Sequence, residues 1–140
     1  MFKINSIDGL STLKIEIKEL EKRYPSISLK LEINDRGFSG SLSEVWIEWE
    51  NIEKYLIISK DYAYKDTFCH TFKSMSPNEL EIKLQKVNPE ICNIKYELNK
   101  IACGIEPILL RGSFDIGIGN LEELRKFLRE LREQIFKITY

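Results

Sequence analysis

Apolar and polar positions alternate along most of this 140-residue chain, and in two places the alternation gives way to a helical period. Leu13, Ile15 and Ile17 are separated by Lys14 and Glu16, and Ile27, Leu29, Leu31 and Ile33 by Ser28, Lys30 and Glu32. A period of two places alternate side chains on one face, so both runs predict half-buried strands. Asn34-Asp35-Arg36-Gly37 is turn chemistry, with Gly37 free to take positive φ. Phe38 to Glu48 predicts a third strand, carrying Phe38, Leu42 and Trp46, and residues 1–9 an irregular lead-in or a short edge strand. Connections this short join antiparallel neighbours, so a meander is expected.

From Trp49 to Ala63 the apolar spacing changes to three and four, which predicts a helix, and Ile57 and Ile58 off its main stripe imply a wider buried face. The aromatic segment Asp61 to Asn78 predicts a short strand near Thr67–Phe72 and a turn at Ser76-Pro77-Asn78. The plan then recurs: Leu80, Ile82 and Leu84 alternate with charge, Asn88-Pro89 turns, and Cys92, Ile94, Tyr96 and Leu98 alternate again. Ile105 to Ile118 is a longer extended run in which Pro107, unable to donate to a ladder, belongs at an edge or a bulge. Leu121, Leu124, Phe127, Leu128, Leu131 and Ile135 then form one helical stripe with charged residues opposite. Asn120 is placed to cap this helix, Glu123 to complete a capping box, and Glu122 and Lys126 to pair at i,i+4.

A shift of 72 residues lays Gly40-Ser41 on Gly112-Ser113, and Trp49, Ile52, Tyr55 and Leu56 on Leu121, Leu124, Phe127 and Leu128. Strands followed by a helix, twice, with short turns between strands, predict an α+β fold rather than βαβ units. The expected architecture is a two-layer sandwich: a mainly antiparallel sheet of six to seven strands with two amphipathic helices on one face. One domain over residues 1–140 is expected, with half-repeats at about 10–64 and 79–136.

Composition narrows the function classes. Hydrophobic content of 43% and charged content of 31% are ordinary for a globular domain. No apolar run is long enough for a membrane span, and the N-terminal stretch has no apolar signal-peptide core, so no membrane and a cytoplasmic location are expected. A net charge of −1 with interspersed signs lacks the basic stripe of a nucleic-acid binder, and no nucleic acid is expected.

Candidate chemistry is sparse. The sole histidine, His70, follows Cys69, and adjacent strand residues point to opposite faces, so a Cys–His site would need Cys92 or Cys103 to approach by tertiary folding. Cys69, His70, Cys92 and Cys103 lack the close spacing of a structural zinc site. The glycines of GSFDIGIGN lack both the P-loop lysine and the dinucleotide pattern. No catalytic residue, metal or cofactor is therefore expected. The most distinctive surface candidate is Glu44, Trp46 and Glu48, which share a strand face next to Trp49 and Glu50. Tryptophan is enriched at binding hot spots, and acids beside it suit a basic partner. Trp49 aligns with Leu121 and reads as core, while Trp46 stands open between core and surface.

The segments GFSGSLSEVWIEWENIEKYL (Gly37–Leu56), SMSPNELEIKLQ (Ser74–Gln85) and LRGSFDIGIGNLEELRKFLREL (Leu110–Leu131) together resemble the WapI-type immunity proteins and their uncharacterised relatives. The likeness lies in a strand–tryptophan–helix unit, a central strand, and a final strand feeding an amphipathic helix. It implies a bacterial protein that binds and neutralises a cognate toxin in the cytoplasm without catalysis. It brings no catalytic residues with it. The alternative from the residues alone is a small-ligand or regulatory domain with its site between sheet and helices. A homodimer paired through an exposed edge strand is compatible with either.

Overall fold

Asp35 ends one alternating run and Phe38 begins the next, and the two residues between them, Arg36 and Gly37, both take positive φ (50° and 91°). That conformation gives a two-residue hairpin whose twist matches the flanking strands. The computed structural model describes residues 1–102 and 105–136. In it β1 (Phe2–Asn5), β2 (Ser11–Glu21), β3 (Ser26–Asp35) and β4 (Phe38–Glu48) form one antiparallel meander and run directly into α1 (Trp49–Ile58). A 3-10 segment (Ser59–Tyr64) leads to β5 (Cys69–Lys73), β6 (Leu80–Lys86), β7 (Ile91–Ala102) and β8 (Ile105–Gly117), a second meander, which feeds α2 (Asn120–Ile135).

The α+β class and the antiparallel pairing agree with the sequence pattern. The single six- to seven-stranded sheet does not: there are eight strands in two separate four-stranded sheets. α1 carries the chain away from the edge of β4 before β5 begins, so the second meander builds its own ladder. The helices do not form a layer over one face of a single sheet. Their apolar stripes and the inner faces of both sheets fill one shared core. The packing is reciprocal, because α1 lies against β5 of the second sheet and α2 against β1 of the first. Two backbone bonds tie the sheets at their ends, Ile7 N–H to the Asp115 carbonyl (2.9 Å) and Met75 N–H to the Trp46 carbonyl (2.7 Å).

The glycine of each Gly-Ser pair lies against a side chain of the other sheet. A Cβ on Gly40 would lie 2.6 Å from Leu110 Cδ2, and one on Gly112 would lie 2.6 Å from the Tyr96 hydroxyl and 3.1 Å from Asp35 Oδ2. Pro107 sits where expected: β8 is an edge strand, and it carries one extra residue between Ile105 and Ile108 relative to β7.

Both helices depart from their sequence reading. α1 ends at Ile58 rather than Ala63, and the chain tightens into the 3-10 segment, held by Lys86 Nζ donating to the carbonyls of Tyr62 (3.0 Å) and Lys65 (2.7 Å). Of the two residues expected to widen the buried face, Ile57 is 66% exposed and Ile58 is partly buried against the core. In α2, Gly119 holds the cap position. Asn120 is the first helical residue, and its side-chain amide donates to the Gly117 carbonyl (3.0 Å) instead of accepting from the helix. Glu122 pairs with Arg125 and Glu123 with Lys126, both at i,i+3, in place of the expected Glu122–Lys126 pair. Five of the six stripe residues are buried, and the sixth, Phe127, is half-buried and stacks on Phe2 at 5.1 Å.

Candidate functional site

Two β-bulges, one on each side of β3, decide what the outer face of the first sheet displays. In β4, Leu42 pairs with Leu31 but Val45 pairs with Leu29, so one residue too many lies between them. Leu42, Val45 and Ile47 can then all enter the core, and Glu44, Trp46 and Glu48 turn outward. Unbroken alternation from Leu42 would have sent Trp46 inward. In β2 the extra residue is Lys18, between Ile17 and Glu19. It turns Leu20 toward the core and Glu19 and Glu21 outward.

The cross-strand rows follow. Glu19 of β2 faces Ser28 of β3, which faces Trp46 of β4, and Glu21 faces Ser26, which faces Glu48. The Trp46 indole is half-buried and its Nε1–H donates to Glu44 Oε1 at 3.1 Å. The Tyr24 hydroxyl, beyond the end of the row, donates to Glu48 Oε1 at 3.1 Å, and that carboxylate raises the Tyr24 pKa above its ordinary value. Ser28 is fully buried in the middle of this face, and its hydroxyl has no hydrogen-bond partner among the described residues. Such a group costs about 1–3 kcal/mol where it stands.

Glu44, Trp46 and Glu48 thus share a surface. Trp49, one residue further, is 3% exposed and belongs to the core, with its own indole N–H on Glu53 (2.9 Å). Glu19, Glu21 and Tyr24 were not singled out by the sequence. The signal for the two acids was present, because the apolar step from Ile17 to Leu20 is three, as is that from Leu42 to Val45.

The cysteine–histidine alternative has a different geometry. Cys69 is exposed and His70 is buried, on opposite faces as strand alternation requires. His70 packs against Phe72 (4.5 Å) and Tyr55 (5.6 Å), and burial pushes its pKa down to about 4. The Cys92 thiol is fully buried, and that burial pushes its pKa up to about 12, which keeps it protonated; its sulfur lies 3.8 Å from the Asn93 carbonyl. Cys103 lies outside the described residues. Among the described residues no three His, Cys, Asp or Glu side chains are placed to hold a metal ion.

One buried carboxylate escaped the sequence reading, which took Asp35 as part of a turn. It ends β3 at 4% exposure. Oδ1 accepts from the Ser11 hydroxyl (2.7 Å) and Arg36 Nε (2.9 Å), and Oδ2 from the Tyr96 hydroxyl (2.5 Å). Desolvation pushes its pKa up, but the hydrogen bonds from Arg36, Tyr96 and Ser11 outweigh that and hold it below the usual value. Every donor belongs to the fold, so this group is a cross-link between sheets. Between the sheets and α2 lies a cavity of about 50 Å³ lined only by apolar side chains.

No helix among the described residues is long and apolar enough to cross a membrane. Comparison with protein-family models, curated proteins and solved structures finds no match for this chain.

Proposed function

We propose that this chain is a non-enzymatic protein-binding protein, an immunity protein that neutralises a cognate toxin in the bacterial cytoplasm by direct binding. The observation that supports this best is the bulge in β4, which spends a register irregularity on turning Trp46 outward between two carboxylates. Bulges commonly re-aim a side chain at a functional site. The indole is held in place by Glu44, so less side-chain freedom is lost when a partner covers it. Occlusion of the toxin's active surface by Glu44, Trp46 and Glu48 is the mechanism assigned here. The ligand-binding alternative is less well supported, since the cavity of about 50 Å³ between sheets and helices is far below the roughly 300–1,000 Å³ of a small-molecule site.

An affinity pull-down from the native host, read by mass spectrometry, tests the proposal. A stoichiometric partner with a toxin-like domain, lost with a Trp46→Ala/Glu48→Gln variant that still folds, is the expected result. Retention of that partner by the folded double variant would remove the surface assignment, and no partner under gentle conditions would remove the function.

A further inference from the structure

We infer that the partner meets this face with a cationic segment whose arginine stacks on Trp46, and that the contact runs from β4 across Ser28 onto Glu19 and Glu21 of β2. The inference rests on the protein-binding reading above and specifies the chemistry of what is bound.

The charge on the face is not neutralised within the chain. Of the nearby lysines, Lys18 lies 3.5 Å from Glu16 and Lys30 lies 3.5 Å from Glu32. Glu19, Glu21, Glu44 and Glu48 have no Lys or Arg at ion-pair distance among the described residues. Glu44 takes the indole N–H, Glu48 the Tyr24 hydroxyl, and Glu21 the Arg23 backbone N–H (2.9 Å). Each of these donors is neutral, so four carboxylates without an ion pair among the described residues share the face that carries Trp46.

Ser28 is the second and independent observation. Ile27 and Leu29 on either side of it are core residues, so alternation aims its side chain at this outer face. There it stands directly opposite Glu19 on one side and Trp46 on the other, fully buried and unpartnered. Its neighbours along the row offer a carboxylate and an indole face, neither of which can donate to its oxygen. A group that brings several N–H donors and a flat cationic surface meets all of these needs at once. Guanidinium does so: it stacks on an indole, carries five donors in a plane, and reaches carboxylates at its edges. A lysine ammonium supplies the charge without the plane.

The test is a ¹H–¹⁵N NMR titration of the full chain with a hexa-arginine peptide and, separately, a hexa-lysine peptide. The two indole N–H signals report the face (Trp46) and the core (Trp49) separately. Saturable movement of the Trp46 indole and the Glu19 and Ser28 amides, with Trp49 still, is expected. Arginine should bind about twofold to fivefold more tightly than lysine. A Glu19→Gln/Glu21→Gln variant should weaken the arginine peptide at least about threefold with an unchanged spectrum elsewhere. Equal affinity for the two peptides, perturbations centred on the second sheet, or full affinity in the variant would each overturn the inference. A toxin-like partner captured equally by wild type and the Glu19/Glu21 variant but not by the Trp46 variant would sink this inference and leave the function standing. Peptide binding as expected with no partner captured would support it and remove the immunity reading instead.

Discussion

The Tyr96 hydroxyl donates to Asp35 Oδ2, so a side chain of the second sheet closes the hydrogen-bond shell of a buried carboxylate in the first. Removing that donor leaves a lone pair unsatisfied in a dry place. Tyr96→Phe is expected to cost about 1–3 kcal/mol, read as a lower urea midpoint at neutral pH with an unchanged slope.

Acid should act on the fold through two groups in two windows. Burial depresses the His70 pKa to about 4, against about 6.5 when unfolded, so between those values the unfolded chain binds the extra proton. Stability contributed by neutral His70 is present above about pH 6.5 and is lost as pH falls toward 4, amounting to about 3 kcal/mol at most. Asp35 is also depressed, so its contribution is present above the ordinary aspartate value of about 4 and is lost as pH falls through the folded pKa. Urea midpoints measured from pH 7 to pH 3 should fall in both ranges. His70→Leu should flatten the upper range and Asp35→Asn the lower.

The paired glycines should respond unequally to alanine. At Gly40 the obstructing atom is the tip of the flexible Leu110 side chain, and alanine also relieves the entropy cost of glycine in a strand, so the change should stay within about 1 kcal/mol. At Gly112 the obstruction is the Tyr96 hydroxyl and the Asp35 carboxylate, and a cost of about 1–3 kcal/mol is expected. A double-mutant cycle isolates the cause. With Tyr96→Phe the clashing oxygen is gone, so the double variant should be more stable than the sum of the single costs predicts.

The bulge at Lys18 makes neighbouring residues opposite in kind. Leu20→Glu should cost about 2 kcal/mol or more, because it drives a charge against the core. Glu19→Val should stay within about 0.5 kcal/mol. Thermal melts of the two variants measure the contrast, and equal costs would mean that β2 keeps plain alternation.

The two tryptophans separate stability from recognition. Trp49→Ala should lose about 3–5 kcal/mol, while Trp46→Ala, at a half-buried indole on the outer face, should lose about 1 kcal/mol or less. Calorimetry of both variants gives the comparison.

The strands and helices were largely legible because alternation and the helical stripe are properties of neighbouring residues. The hairpin at Arg36-Gly37, the boundary between Glu48 and Trp49, and the bulge beside Pro107 all carry their cause within a few positions. What was not legible depends on what lies across the fold. Asp35 looks like turn chemistry until Tyr96, 61 residues away, is brought to it. Separation into two sheets depends on where α1 delivers the chain, which no alternation encodes. The face carrying Trp46 was read correctly as shared with Glu44 and Glu48. Its extension onto Glu19 and Glu21 depends on a single inserted residue, visible only as a three-residue apolar step.

Each helix reaches a strand of the other sheet, as exchanged arms do in a dimer, but within one polypeptide. A chain stopped after α1 would own a sheet whose cover belongs to the missing half, and two such chains could complete themselves only by associating. Joining them replaces an assembly that depends on protein concentration with one at the fixed, roughly millimolar effective concentration of a short tether. The loop from α1 to β5 is the tether that sets this concentration for the two sheets.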